Sequence, residues 1–221
     1  MRKWQCSICG YVHEGDEPPE KCPVCGADKS LFTEIVAEPQ VVDAPAGEEA
    51  PAAAASPPAD PRAVDLGPEP STLLGRTLQF ALGQMLKHHA HPISTHFPNG
   101  ILPIAFIFII LSVLMESRAL ETAAYCNMVF LVLVLPFVLF SGYIEWQKRY
   151  KGFRSRPFII KIACAAIVFG LSAVVVIWWT VNPDVLRVPS SGRTLFILAN
   201  LGALGAAGVA GLIGGRLVFR E

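Results

Sequence analysis

The sequence predicts two unlike units: a small metal-knuckle domain of short strands and loops, and an all-α four-helix transmembrane domain. Three observations predict them. Four cysteines stand in the first 25 residues as CxxC, twelve residues, CxxC. Four apolar runs, at about 97–115, 123–144, 158–180 and 194–215, each approach the roughly 20 residues that a bilayer requires. The composition agrees, because hydrophobic residues make up 52% of the chain, charged ones only 16%, and the mean hydropathy is +0.46. The net charge of zero argues against a nucleic-acid partner.

The first unit rests on its thiols. Cys6 and Cys9 form one knuckle, Cys22 and Cys25 the other, and together they offer four thiolates to one tetrahedral ion. Gly10 and Gly26 each follow the second cysteine of a pair, where the backbone must turn so that its amides point at sulfur. Two disulfides are the competing reading. The spacing is that of a metal site, and no apolar signal segment follows the basic residues of MRKWQCSICG. Four thiolates suit zinc and iron alike. His13 lies among Glu14, Asp16, Glu17 and Glu20 and reads as a solvent-facing residue. Cys126 and Cys164 fall inside apolar runs, away from this set.

The stretch WQCSICGYVHEGDEPPEKCPVCGADKSLF resembles the short rubredoxin module of rubrerythrins, through CxxCGYVHEG, EPPEKCPVCGA and the aromatics Trp4, Tyr11 and Phe32. The resemblance covers about residues 2–36. It implies a rubredoxin-like domain over 1–37 with one mononuclear iron at Cys6, Cys9, Cys22 and Cys25, passing single electrons between ferric and ferrous states. A zinc ribbon that recruits a partner protein to a membrane anchor is the alternative. So small a unit needs its metal to fold.

Residues 38–70 hold eight prolines, nine alanines and seven acids against one arginine, with no apolar periodicity. They read as a disordered linker. Its coil dimension of roughly 30 Å, or about 100 Å when extended, lets the first unit swing over a membrane surface. The tether holds its local concentration on the order of millimolar. Within residues 71–90, Leu74, Leu78, Ala81, Leu82 and Met85 share one helical face, and Arg76, Gln79, Gln84 and Lys87 stand largely off it. This is an interfacial amphipathic helix.

Residues 91–221 form the transmembrane domain. Trp146, Tyr150, Trp178 and Trp179 lie near span ends, where interfacial aromatics belong. Gly202, Ala206, Ala210 and Gly214 make a small-residue stripe suited to close helix packing. The connection between spans two and three carries Lys148, Arg149, Lys151, Arg154 and Arg156, which makes it cytoplasmic by the positive-inside rule. Four spans then put both termini in the cytoplasm.

That orientation brings His91, His96 and Glu145 to one membrane depth, at the cytoplasmic boundary. Two imidazoles and a carboxylate suit an open transition-metal site. The plainer alternative is helix capping and headgroup contact, the reading favoured for His88 and His89. HPISTHFPNGILP with the later SGYIEW resembles an uncharacterised family of four-helix bacterial membrane proteins, over about residues 90–215. The resemblance implies a bacterial inner membrane and a shared site at His91, His96 and Glu145, without naming its chemistry. A haem between helices takes histidines from two spans, and spans two to four contain none. A second metal, a haem and a quinone therefore stand level. The sequence thus points to an electron carrier, more than to a stand-alone enzyme. Its expected partners are the membrane, a soluble redox protein and a quinone.

Overall fold

The computed structural model describes residues 2–35, 66–68 and 70–219. Most of the expected linker therefore lies outside the described residues. The chain forms a small three-stranded module and a four-helix bundle, with two further helices leading into the bundle.

The module is built from β1 (Arg2–Cys6), β2 (Val12–Gly15) and β3 (Phe32–Glu34) in the order β2-β1-β3, antiparallel throughout. Trp4 pairs with His13 across one edge and Glu34 across the other, and its indole Nε1 donates to the Gly15 carbonyl at 3.2 Å. Both knuckles close with a glycine at positive φ, 72° at Gly10 and 73° at Gly26, where a side chain would be strained. In each, the glycine amide donates to the carbonyl of the first cysteine, Cys6 or Cys22.

Helix α1 (Leu73–Lys87) starts at Thr72, whose hydroxyl accepts from the Gly75 amide. Leu73, Leu74, Leu78 and Phe80 are left exposed on it. The chain just before it folds back, since Gln79 donates to the Gly67 carbonyl and Arg76 to that of Pro70. His88 ends α1 with its ring on the Gln84 side chain, and His89 turns the chain in the left-handed region, its side chain making no capping hydrogen bond. The short α2 (Ala90–Ser94) then leads into α3 (His96–Leu114).

Four helices or helix pairs are long and apolar enough to cross a membrane: α2–α3 together, α4 (Arg118–Arg149), α5 (Arg156–Val181) and α6 (Ser191–Phe219). They are longer than the apolar runs alone suggest, because polar ends continue the helices past the bilayer. The 32 residues of α4 extend about 48 Å, well over a hydrocarbon core of about 30 Å. The bundle closes as a ring in which α3 packs on α4, α4 on α5, α5 on α6 and α6 on α3. Its core holds Leu102, Ile109, Met128, Leu131, Val175 and Phe196. The small stripe of α6 serves close packing on α5: a Cβ at Gly202 would meet Leu171, and one at Gly214 would meet Lys161.

Three of the aromatics expected at the lipid boundary pack inward instead, among them Tyr150, buried against the Phe158 ring. Trp179 is 3% exposed, edge-on to Tyr125 and Phe196. The indole of Trp146 donates to the Phe153 carbonyl and packs beneath the module. In each case contacts inside the protein replace headgroup contacts.

The module rests on one end of the bundle. Its cysteines, Val24, Ala27 and Phe32 share a buried cluster with Tyr150, Phe158 and Leu217. Trp146, Phe153 and Ile213 pack against the same cluster. The expectation of a module swinging on its tether gives way here to a docked one. Apolar surface is available on both sides of the contact, and its burial favours docking.

Candidate metal centre and boundary site

The four cysteines meet at the junction of both knuckles. Among the described residues they are the only set of three or more His, Cys, Asp or Glu side chains close enough to share an ion. All four sulfurs lie within 4.8 Å of one another. Cys6 Sγ and Cys25 Sγ stand 3.7 Å apart, and Cys9 Sγ and Cys22 Sγ 3.5 Å. A tetrahedral ion with metal–sulfur distances of about 2.3 Å sets sulfur–sulfur edges of about 3.8 Å. A disulfide would need about 2.05 Å, and all six cysteines are free thiols. The set therefore fits a metal.

Backbone amides complete it with a two-fold pattern. Cys6 sulfur accepts from the Cys9 amide and Cys9 sulfur from that of Tyr11; Cys22 sulfur accepts from the Cys25 amide and Cys25 sulfur from that of Ala27. Such bonds favour negative sulfur and tune the potential of any iron they surround. The thiols also act on one another. Hydrogen bonding with Cys25 lowers Cys22 to about 7, and hydrogen bonding with Cys22 lowers Cys6. Contact with Cys22 raises both Cys9 and Cys25. The four thiols thus titrate as one coupled set, and metal binding releases the protons they hold.

The second knuckle is the docked one. Ser155 Oγ donates to the Cys25 carbonyl. An added Cβ at Gly26 would stand 3.6 Å from Ser155 Cβ and 3.9 Å from Pro157 Cδ. Ser155 is also the N-cap of α5, following a reversal made by Lys151 and Gly152 at positive φ.

Beneath this contact lies a charged group that crosses three helices. Glu145 on α4 is 7% exposed and receives Arg149 Nη1 at 3.1 Å. Lys161 on α5 interacts electrostatically with both Glu145 and His91, and its Nζ lies 3.5 Å from where a Cβ of Gly214 would stand on α6. His91 on α2 is pressed onto α4. Its Nδ1 lies 3.2 Å from the Val138 carbonyl and 3.3 Å from Ser141 Oγ. A Cβ at Gly142 would stand 2.7 Å from the imidazole Cε1.

His91, His96 and Glu145 are therefore not drawn into one ligand set. Lys161 acts electrostatically on His91 and on Glu145, whereas His96 is exposed at the start of α3. Sequence reasoning missed Lys161, Arg149, Ser155 and Gly142. For Lys161 a signal existed, since it is a lone cation one turn inside an apolar run.

The comparisons with known proteins divide the chain in the same way. Residues 4–33 match the family model described as rubrerythrin, rubredoxin-like domain, and residues 87–221 the one described as predicted membrane protein (DUF2231). Reverse rubrerythrin-1 of Clostridium acetobutylicum is 54% identical over 35 residues, which are 16% of this chain and 19% of that protein. Rubrerythrin of Nitratidesulfovibrio vulgaris is 57% identical over 30 residues, 14% of this chain and 16% of its own. Rubredoxin-2 of Chlorobaculum tepidum is 42% identical over 52 residues, 16% of this chain and 100% of that protein. The chain thus spans less than a fifth of the length of these two rubrerythrins. No solved structure matches.

Proposed function

The chain belongs to the family of predicted membrane proteins matched over residues 87–221, with a rubredoxin-like module ahead of it, and we propose that it is a membrane-anchored electron-transfer protein. One observation carries this reading: the four-thiol centre is packed on the charged end of the bundle. A metal needed only for folding gains nothing from that position, whereas an electron carrier gains a short fixed route.

Iron is the metal of this reading, held by Cys6, Cys9, Cys22 and Cys25, and it supplies one-electron chemistry between ferric and ferrous states. The knuckle amides stabilise the sulfur charge, and the buried cluster excludes water. A soluble redox protein exchanges electrons with the module. The second redox partner is a quinone at the end of the bundle, where reduction takes up protons as well as electrons. Glu145, Lys161 and His91 are the groups suited to hold and pass those protons, with His96 at the surface of the same end. A haem fits less well: the His91 ring lies on Gly142 with no gap between them, and α4, α5 and α6 contain no histidine. We assign the module end to the cytoplasmic side of a bacterial inner membrane, because the basic residues 148–156 lie there.

Purified full-length protein tests this directly. It should be red when oxidised and should bleach with dithionite. A short-chain quinol should reduce it, more slowly after Glu145→Ala or His91→Ala. A colourless zinc protein would overturn the reading in favour of a recruiting module. Wild-type rates in His91→Ala, His96→Ala and Glu145→Ala alike would remove the boundary site.

A further inference from the structure

Cys25 is wholly buried although its module is small. Part of what covers it comes from 130 residues away, where Ser155 donates to its carbonyl. Pro157 stands against Gly26, and Tyr150 and Phe158, with ring centroids 5.0 Å apart, share its buried cluster. Cys9, by contrast, keeps 7% of its surface. We propose that the second knuckle is the electron port between the metal centre and the membrane domain, and that Ser155 is the positioning residue that holds this port closed on α5.

The port rests on the electron-transfer reading given above and adds a route to it. Ser155, Phe158 and Lys161 follow at three-residue steps, so the first two turns of α5 lead from the Cys25 carbonyl to the group of Lys161, Glu145 and His91. Six residues of helix span about 9 Å. Electron transfer weakens steeply with distance, so fixing the knuckle here favours this face over any other for exchange with the membrane. Gly26 supports the arrangement, because a longer side chain at that position would wedge the module off Ser155.

The test uses full-length protein in phosphatidylcholine nanodiscs, reduced first. An alkylferrocenium ion dissolved in the bilayer takes one electron from Fe(II), leaving Fe(III) and neutral ferrocene, with no proton or bond involved. Ser155→Trp should slow this reaction at least tenfold and Ser155→Ala less. Oxidation by soluble hexacyanoferrate should stay unchanged or become faster as Cys25 is uncovered. Glu17→Trp, on an exposed part of the module, should leave both rates as in wild type. Docking is read separately by p-benzoylphenylalanine in place of Phe153. Light should join the module to the membrane domain with iron or zinc bound, and Ser155→Trp should abolish the product. The port is overturned if the cross-link never forms, or if Ser155→Trp loses it yet keeps the bilayer-side rate within twofold. A fast ferrocenium reaction in a protein that no short-chain quinol reduces leaves the port standing and removes the quinone from the proposed function.

Discussion

Replacing Gly142 by alanine probes the packing that holds His91. The added Cβ would lie 2.7 Å from the imidazole Cε1, 3.0 Å from Nδ1 and 3.2 Å from Nε2. Ordinary carbon contacts lie at about 3.5–4.0 Å, so three ring atoms are overlapped at once. Overpacking of this kind costs about 1–3 kcal/mol. Alanine in place of glycine inside a helix returns about 1 kcal/mol. Gly142→Ala should therefore destabilise the bundle by about 0–2 kcal/mol. Gly170, helical and with nothing within 4 Å of its added Cβ, supplies the control. Gly170→Ala gains the helix term without the clash, so the two variants should differ by about 1–3 kcal/mol. Reversible unfolding in mixed micelles measures this difference. His91→Ala made together with Gly142→Ala relieves the overlap and should show a coupling of at least about 1 kcal/mol. Equal stability of the Gly142 and Gly170 variants, or no coupling to His91, would refute the account of how the imidazole is seated.

Two further outcomes follow from the site and from the loop charges. Cys9→Ser or Cys22→Ser should abolish tight metal binding and unfold residues 2–35 while the bundle keeps its helix content. An ordered metal-free module, seen by proteolysis or NMR, would contradict this. Reporters fused at either terminus should be active only as cytoplasmic ones, and one inserted at Pro183 only as an external one. Labelling of Ser155→Cys from outside intact cells would reverse the orientation and the electron route with it.

The metal centre was legible because it is local. The CxxC spacing dictates each knuckle, and the amides that reach sulfur come from within two or three residues of it. The four spans were legible from apolar length, although their ends were not, since helical continuation past the bilayer leaves no apolar mark. The grouping of His91 with His96 was the weak inference. Five residues along a helix turn through about 140°, so the two rings leave on different sides, one onto α4 and one to the surface. Docking through Ser155 was beyond reach, because a hydrogen bond between residues 130 apart has no periodicity to announce it.

The wide sequence separation across that contact bears on how the protein is made. The knuckle containing Cys25 is synthesised long before its cover exists. At about 5–20 residues per second, the ribosome reaches Ser155 roughly 7–26 seconds later, and Leu217 later still. Both must emerge on the same side of the bilayer as the module for the cover to close. Closure therefore requires that all four spans have been inserted. A chain in which one span fails to insert leaves the α4–α5 loop, the end of α6 or both across the bilayer from the module, and its second knuckle stays incompletely covered.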